Sequence, residues 1–358
     1  MDGYLNVVEV EAAIARLRDA NPQLCKLLKL PNPTAGRRTS HALRISTAPG
    51  AGRDTLLVTG GIHALEWGTS DAVVSFATDL LAAYVQRAGL AYGGKVFTKE
   101  AIAAFLDSRD LVVFPQVNPD GRAYSQMTDA NIVEGWRKNR RLLVGRDGIA
   151  NYGVDINRNF ETAWDFKNLF YSDTDPASDD ASKDNYHGPK PFSEAETKNV
   201  RDLLDWHPTT RWLVDVHGPA KCILYDWGID QTQSDTQGQN YRNSVWNHLR
   251  GKKTDDYAEY KNGEDSELAK ALAIRMSDAV FLVRQHRWPA APSFDTLYPV
   301  SGSLADYAYS RQWSVPPSPG IHSFVIEHGG SFHPPWWYMT EVIDEICAAL
   351  LELCVAVA

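Results

Sequence analysis

The sequence predicts an α/β fold, in which the strands of a mainly parallel sheet alternate with amphipathic helices. Short apolar runs at residues 56–58 and 111–114 have the length and composition of buried strands. Between them, apolar residues recur at helical spacing in the segment 73–84. No internal repeat or linker interrupts this alternation over 358 residues, so one large domain is favoured over two.

Further elements are predicted along the rest of the chain. Apolar residues at helical spacing precede Asn21-Pro22 and predict a first helix, which that pair ends. Ser193 followed by Glu196 predicts a capping box that opens a later helix. Further strands are expected at residues 41–46, 212–216 and 323–327, and further helices near residues 268–280 and 342–353.

Residues 231–265 differ from the segments around them. They are polar, charged and punctuated by glycine, without the apolar periodicity of a core element. We interpret this stretch as an insertion into the single domain, which otherwise spans residues 1–358, and expect it at the rim of a cleft.

Composition and charge argue against two classes of partner. The formal net charge is −9, whereas a general nucleic-acid or anionic-membrane binder needs a basic face. No stretch reaches the roughly 18 uncharged apolar residues that a membrane-spanning helix requires. We therefore predict neither nucleic acid nor a membrane as a partner, and the sequence leaves the oligomeric state open.

Cysteine usage predicts a cellular compartment. The four cysteines form no CxxC pair, and Cys347 and Cys354 are separated by about 10 Å along a predicted helix, too far for a disulfide. The first residues carry neither a basic nor an apolar leader region, so no signal peptide is predicted. These features favour a reduced, cytoplasmic protein. A secreted chain trimmed of its leader would have the same sequence features.

Metal-ligating and acidic side chains follow three of the predicted strands. His63 and Glu66 come after the strand at 56–58, His217 follows the strand at 212–216, and Glu327 is the last residue of a third strand. The carboxyl ends of parallel strands are where open α/β folds place their ligands. An imidazole and a carboxylate can bind a zinc ion when a third ligand arrives from elsewhere.

The ordered set resembles the zinc metallocarboxypeptidases of the carboxypeptidase A type, over nearly the whole chain. Each match is short, but they occur in the family's order. The matching segments are His63-Ala64-Leu65-Glu66-Trp67, Asn118-Pro119-Asp120-Gly121, Trp136-Arg137-Lys138, Asp155-Ile156-Asn157-Arg158-Asn159-Phe160, Tyr186-His187-Gly188, His217, and Tyr298 with Ser301-Gly302-Ser303 and Asp306.

The resemblance implies a fold, a cofactor and a reaction. The fold is a single domain with a twisted, mixed and mostly parallel central sheet of about eight strands and helices on both faces. One zinc ion per chain is held by His63, Glu66 and His217, with a water in the open fourth position. Glu327 is the general base that takes the proton of the zinc-activated water. Arg137 stabilises the oxyanion that develops on the substrate.

The resemblance also assigns residues to the substrate, a peptide with a free C-terminus. Asn157 and Arg158 grip its terminal carboxylate, and Tyr298 closes over it. Asp155 orients the ligand His63. Ala305 lines the base of the pocket for the C-terminal side chain.

This pocket is expected to be apolar and thus to prefer apolar or aromatic C-terminal residues over lysine and arginine. In place of an acid that would select basic residues, the chain has Ala305 at the base. Its walls are expected to come from Leu224, Leu297, Val300 and Val325. The resemblance further predicts a cis peptide bond between Gly218 and Pro219, followed by a strand over 222–225.

Two departures and two alternatives accompany this reading. Leu65 stands where the family commonly has an arginine, which puts upstream subsite preference and rate in doubt, and residues 231–265 lack a clear counterpart. One alternative is a related zinc amidohydrolase acting on acylated amino acids or cell-wall peptides. Another is a catalytically inactive, zinc-dependent peptide-binding module, which has no need of Glu327 or Arg137. The natural peptide and its pathway stay open.

Overall fold

The computed structural model describes residues 3–127, 135–144, 150–253, 255–314, 318 and 320–358. Fourteen strands occur within these residues. They are β1 Cys25–Lys29, β2 His41–Ile45, β3 Thr55–Gly60, β4 Leu90–Tyr92, β5 Lys95–Phe97, β6 Asp110–Phe114, β7 Leu142–Val144, β8 Ala150–Tyr152, β9 Thr210–His217, β10 Cys222–Tyr225, β11 Thr232–Gln233, β12 Glu259–Tyr260, β13 Ala290–Pro292 and β14 His322–Glu327.

Eight of these strands form one mixed central sheet in the order β1-β2-β6-β3-β9-β14-β10-β13. Four of its seven pairings are parallel, namely β6 with β3, β3 with β9, β9 with β14, and β10 with β13. The antiparallel pairings lie at β1–β2, β2–β6 and β14–β10. The predicted fold class, a mostly parallel mixed sheet of about eight strands, is confirmed.

Helices cover both faces of the sheet, as predicted. Alternate residues of β3 point to opposite faces, so Leu56 and Val58 enter one apolar cluster and Leu57 enters another. The helices in chain order are α1 Val7–Ala20, α2 Trp67–Gln86, α3 Lys99–Ser108, α4 Pro119–Ser125, α5 Phe166–Leu169, α6 Ala195–Trp206, α7 Gly263–Arg284, α8 Ser293–Thr296, α9 Leu304–Ser314 and α10 Trp336–Ala356.

The two clusters assign the helices to their faces. The larger cluster packs α2, α3, α7 and α10 against the sheet, and the smaller one packs α6 and α9 against the other side. Burial of these apolar side chains at about 25 cal/mol per Å² is the main stabilising contribution to the fold. No helix in the described ranges is long and apolar enough to cross a membrane.

The central strands bring three polar strand ends to one edge of the sheet. In the parallel ladder, Gly60 of β3 pairs with Val216 of β9, and His217 of β9 pairs with Glu327 of β14. The carboxyl ends of three adjacent strands therefore meet side by side. This places the loop between β3 and α2 next to His217 and Glu327.

The predicted capping box at Ser193 is wrong. Helix α6 begins at Ala195 with Glu194 at the N-cap, and no side chain caps it. The side chain of Asn159 binds this segment instead. Its Nδ2 donates to the Ser193 hydroxyl (2.9 Å), and its Oδ1 accepts from the Glu194 N–H (3.2 Å). The competing partner comes from a distant segment, which the local spacing of Ser193 and Glu196 does not reveal.

Most of residues 231–265 forms a small unit beside helix α8. The pair β11–β12 and a 3₁₀ helix at Ser244–Trp246 surround the buried Arg250, whose guanidinium donates to the Tyr257 hydroxyl (2.8 Å). The Lys253 ammonium donates to the Asp295 carbonyl of α8 (2.7 Å). The last three residues of the predicted stretch, 263–265, belong instead to α7.

Candidate active site

The side chains of His63, Glu66 and His217 converge in the interior at the carboxyl edge of the sheet. Each is at most 5% exposed. The two Nδ1 atoms of the histidines lie 3.0 Å apart. The Glu66 carboxylate lies 2.8 Å from Nδ1 of His63 and 3.1 Å from Nδ1 of His217. One nitrogen or oxygen atom from each side chain falls within a sphere that a single metal ion can span.

The opposite nitrogen of each histidine faces a carboxylate. Nε2 of His217 lies 2.6 Å from Asp215, and Nε2 of His63 lies 3.4 Å from Asp155. Thr59 donates a hydrogen bond to the other oxygen of Asp215 (2.7 Å), which fixes that carboxylate. Carboxylates in this position fix the tautomer of a ligating histidine and make it more basic.

Asp215 was not among the residues singled out in the sequence. A signal for it existed, since residues two apart on a strand point to the same face and Asp215 precedes His217 by two on β9. The predicted contact of Asp155 with His63 is present as a longer ion-pair distance. The carboxylate that makes the shorter contact with a candidate ligand is the one that the sequence analysis missed.

The residues fit a zinc ion. Two imidazoles and a carboxylate are the donor set of many catalytic zinc sites, and four-coordinate zinc with bonds of about 2.05 Å separates its ligand atoms by about 3.3 Å. The distances of 2.8–3.1 Å among these three side chains are close to that value.

Glu327 lines the same cavity as the three candidate ligands. It is partly exposed on the cleft wall, at the end of β14. Burial by the surrounding protein raises the pKa of Glu327 to about 7, although the charge of His217 acts in the opposite direction. A carboxyl group with such a pKa can exchange protons near neutral pH.

Arg137 lies beside the candidate ligands and is held from two sides. Its Nε donates to Asp155 (2.9 Å), and its carbonyl accepts from the Ala64 N–H (3.0 Å) in the loop between His63 and Glu66. Burial opposes the charge of Arg137, but the negative charges of Asp155 and Glu66 together with the hydrogen bond to Asp155 outweigh burial and raise the guanidinium pKa. Arg137 is therefore a permanent cation that faces the cavity.

Asn157 and Arg158 line the cavity from a 3₁₀ turn at Ile156–Arg158. The side-chain oxygen Oδ1 of Asn157 accepts a hydrogen bond from the Leu304 N–H (2.8 Å), which orients the amide. Arg158 uses Nε and one Nη to donate to the carbonyls of Pro176 (2.9 Å) and Asn157 (2.8 Å). These bonds hold the guanidinium in a fixed orientation at the cavity wall.

Tyr298 lies at the mouth of the cavity and is 52% exposed. Its ring centroid is 5.9 Å from the Arg158 guanidinium carbon, within the range of a cation–π contact. The structure thus places Tyr298 next to one of the residues predicted to bind the substrate carboxylate.

The predicted wall residues line a cavity of about 240 Å³ that runs inward from the candidate metal site. The Gly218–Pro219 bond is cis and β10 follows at Cys222–Tyr225, as expected. His328 follows Glu327, and its ring is fully buried against Gly218, where an added Cβ would approach it to 2.6 Å. The lining includes the predicted base residue Ala305 and the predicted wall residues Leu224, Leu297, Val300 and Val325.

Comparison with known families identifies the chain's relatives. The family described as zinc carboxypeptidase matches residues 10–344. This chain belongs to the zinc carboxypeptidase family. One catalytic zinc is the cofactor of that family and therefore of this chain.

Several curated relatives are moderately similar to this chain in sequence. Rat carboxypeptidase A2 is 26% identical over 86% of this chain and 60% of its own length. Mouse carboxypeptidase A4 is 25% identical over 81% of this chain and 56% of its own length. The crayfish Astacus astacus has a carboxypeptidase B that is 26% identical over 85% of this chain and 81% of its own length. The chain thus spans little more than half the length of some of these relatives.

Solved structures share the fold. The carboxypeptidase A of Helicoverpa armigera superposes with a TM-score of 0.72 at 20% identity, covering 100% of this chain and 75% of the other. Bovine thrombin-activatable fibrinolysis inhibitor, in complex with a tick carboxypeptidase inhibitor, superposes with a TM-score of 0.72 at 19% identity. That match covers 99% of this chain and 98% of the bovine chain.

Proposed function

We propose that this chain is a zinc-dependent exopeptidase that hydrolyses the C-terminal peptide bond of peptides with a free terminal carboxylate. One observation carries the proposal. A single cavity is lined by the metal triad, by a partly exposed carboxylate at Glu327, and by the cations Arg137 and Arg158. A metal, a proton acceptor and two fixed positive charges are what hydrolysis beside a terminal carboxylate requires.

In this proposal His63, Glu66 and His217 hold the zinc, and Asp155 and Asp215 orient the two histidines. The metal supplies a Lewis acid that polarises the scissile carbonyl and acidifies a water. Glu327 accepts the proton of the attacking water and then delivers it to the leaving amine. Burial raises the pKa of this carboxyl group, which favours its acceptance of the proton.

Charge on the substrate is balanced by the two arginines. Arg137, held by Asp155, faces the position where negative charge develops on the carbonyl oxygen. Arg158 and the Asn157 amide bind the two oxygens of the terminal carboxylate, for which a planar guanidinium is well shaped. Tyr298 covers the bound substrate from the cavity mouth. A chain that only bound peptides would have no use for Glu327.

We further propose a preference for apolar or aromatic C-terminal residues. The predicted wall side chains Leu224, Leu297, Val300 and Val325 line the cavity, and the small side chain of Ala305 leaves space beside them. Burial of an apolar side chain there is favourable at about 25 cal/mol per Å², whereas a lysine or arginine would have to lose the hydration of its charge.

The whole chain, residues 1–358, is proposed as one catalytic domain, with 231–265 as an insertion at the cleft rim. Contact of this stretch with α8 and with Pro299, the neighbour of Tyr298, supports that placement. The predicted cytoplasmic location stays a prediction, and fractionation of expressing cells would test it.

A substrate panel tests the proposed function. Zinc-loaded protein should release the C-terminal residue from blocked dipeptides ending in Phe, Tyr or Leu faster than from those ending in Lys or Arg. A chelator should abolish the release, and added zinc should restore it. Amidated dipeptides provide the matched control, since they lack the carboxylate that Arg158 binds. Equal cleavage of amidated and free ends would contradict an exopeptidase, and faster release of basic ends would contradict the apolar preference.

A further inference from the structure

A carboxylate lies among the residues that line the substrate cavity. Asp306, in the first turn of α9, is 1% exposed and lines the cavity together with its neighbour Ala305. Its Oδ1 accepts a hydrogen bond from the Gly228 N–H (2.9 Å). Its Oδ2 has no hydrogen-bond partner among the described residues. An unpartnered acceptor at this depth is costly unless a ligand supplies the donor.

The two cations whose charges act on Asp306 form their hydrogen bonds with other groups. Lys261 donates to Asp226 (2.6 Å), and Arg158 donates to the carbonyls of Pro176 and Asn157. The Ser303 hydroxyl accepts from the backbone N–H of Asp306 (3.2 Å). Within the part of the chain that the structure describes, no ion pair to Asp306 is present.

Two small residues keep the free oxygen accessible from the cavity. Gly228 lines the cavity, and a Cβ added there would lie 3.3 Å from Oδ2 of Asp306 and 3.6 Å from the Val300 side chain. A larger residue at this position would therefore stand over the oxygen. Ala305 likewise leaves room for a ring. The free oxygen of Asp306 thus lies in a cavity that aliphatic side chains such as Val300 also line.

We propose that Asp306 is a specificity-determining residue, whose Oδ2 accepts a hydrogen bond from a donor at the tip of the substrate's C-terminal side chain. Tyrosine carries such a donor on an aromatic ring that the aliphatic walls accommodate. This inference rests on the proposed exopeptidase function and narrows it. C-terminal tyrosine is favoured over phenylalanine, which leaves Oδ2 unpaired in a site emptied of water.

A neutral donor suits this position better than a cationic one. Burial raises the pKa of Asp306 to about 6, while hydrogen bonds with the Gly228 N–H and the Ser303 side chain, and then the positive charges of Lys261 and Arg158, act in the opposite direction. Although both cations hydrogen-bond to other groups, their positive charges would still repel a substrate lysine or arginine in this confined space. A hydroxyl supplies the missing hydrogen bond without that repulsion.

The test uses zinc-loaded wild-type protein and four blocked dipeptides that differ only at the C-terminus, in Tyr, Phe, 4-cyanophenylalanine and Lys. We expect kcat/KM for Tyr to exceed that for Phe by about tenfold or more, the effect of one hydrogen bond to a buried charged acceptor. The cyano group is an acceptor only, so its substrate should be slower than the Phe substrate.

Asp306→Asn then replaces Oδ2 by an amide donor while keeping an oxygen for the Gly228 N–H. The tyrosine advantage should fall to within about threefold of phenylalanine, because a neutral bond replaces a charge-assisted one. The cyano substrate should become faster than the Phe substrate, a reversal that a merely structural residue would not produce. Asp295→Asn, on the exposed surface of α8, removes the same charge and should leave all ratios unchanged.

The outcomes separate this inference from the function on which it rests. If none of the four substrates is turned over, the exopeptidase proposal itself is overturned. Turnover with equal rates for Tyr and Phe overturns the role of Asp306 alone, as does an unchanged order of substrates in a folded, zinc-loaded Asp306→Asn protein. A Lys substrate faster than the Tyr substrate would show that Asp306 binds a cation instead. The wild-type ratios stand even if the variant fails to fold.

Discussion

Replacement of Asp215 tests whether this carboxylate supports metal binding through His217. It lies 2.6 Å from Nε2 of His217 and is fixed by the Thr59 hydroxyl at 2.7 Å. Asp215→Asn keeps the shape and an acceptor but removes the negative charge that makes the imidazole more basic. Asp215→Ala removes the acceptor as well. Loss of such a partner costs about 10- to 100-fold in metal affinity, so we assign about tenfold to the Asn variant and about 100-fold to the Ala variant.

These factors correspond to about 1.4 and 2.8 kcal/mol of zinc-binding free energy. Competition against a chromophoric chelator of known affinity measures them directly, without any substrate. Thr59→Val is the matched control, since it leaves the carboxylate in place and removes only the bond that fixes it, and its effect should be smaller than that of the Asn variant. Wild-type affinity in a folded Asp215→Ala protein would refute the assignment.

Three other substitutions probe separate parts of the structure. Arg158→Ala should raise KM for free C-terminal carboxylates by about 10- to 100-fold and leave amidated peptides unchanged, as steady-state kinetics would show. Burial raises the pKa of Glu196 from 4.5 to about 8, so the stability associated with its protonated form, fully present below pH 4.5, is lost as pH rises through about 8. In urea unfolding, the free energy of unfolding of Glu196→Gln relative to the wild type should therefore rise between pH 5 and pH 8. A difference in unfolding free energy that stays constant over this range would contradict the raised pKa. Gly218→Ala should lower the free energy of unfolding by about 1–3 kcal/mol, because its Cβ meets the buried His328 ring at 2.6 Å.

The sequence predicted those parts of the site that follow from strand ends. His63 and Glu66 lie in the loop that follows one apolar run, His217 directly follows another, and Glu327 ends a third. Parallel pairing of β3, β9 and β14 then brings these residues together. The resemblance to a known family supplied the identity of the metal and the roles of the arginines. The local sequence pattern alone predicted neither the identity of the metal nor the roles of the arginines.

The features that the sequence missed depend on contacts between distant segments. The capping box failed because Asn159, more than thirty residues away, binds Ser193. The free oxygen of Asp306 becomes visible only when Gly228 is placed beside it. Asp215 is different, since its two-residue spacing from His217 on one strand was available in the sequence. Periodicity predicts which face a residue occupies, whereas its hydrogen-bond partner is set by the tertiary fold.

In the proposed mechanism, a zinc site and Glu327 together hydrolyse a C-terminal peptide bond. The most direct test measures zinc content and release of the C-terminal residue from a blocked dipeptide on the same samples of wild type and Glu327→Gln. We predict about one zinc per chain in both proteins, with turnover in the variant reduced by several orders of magnitude, because the attacking water loses its proton acceptor. Near-normal turnover in a zinc-loaded Glu327→Gln protein would contradict the account.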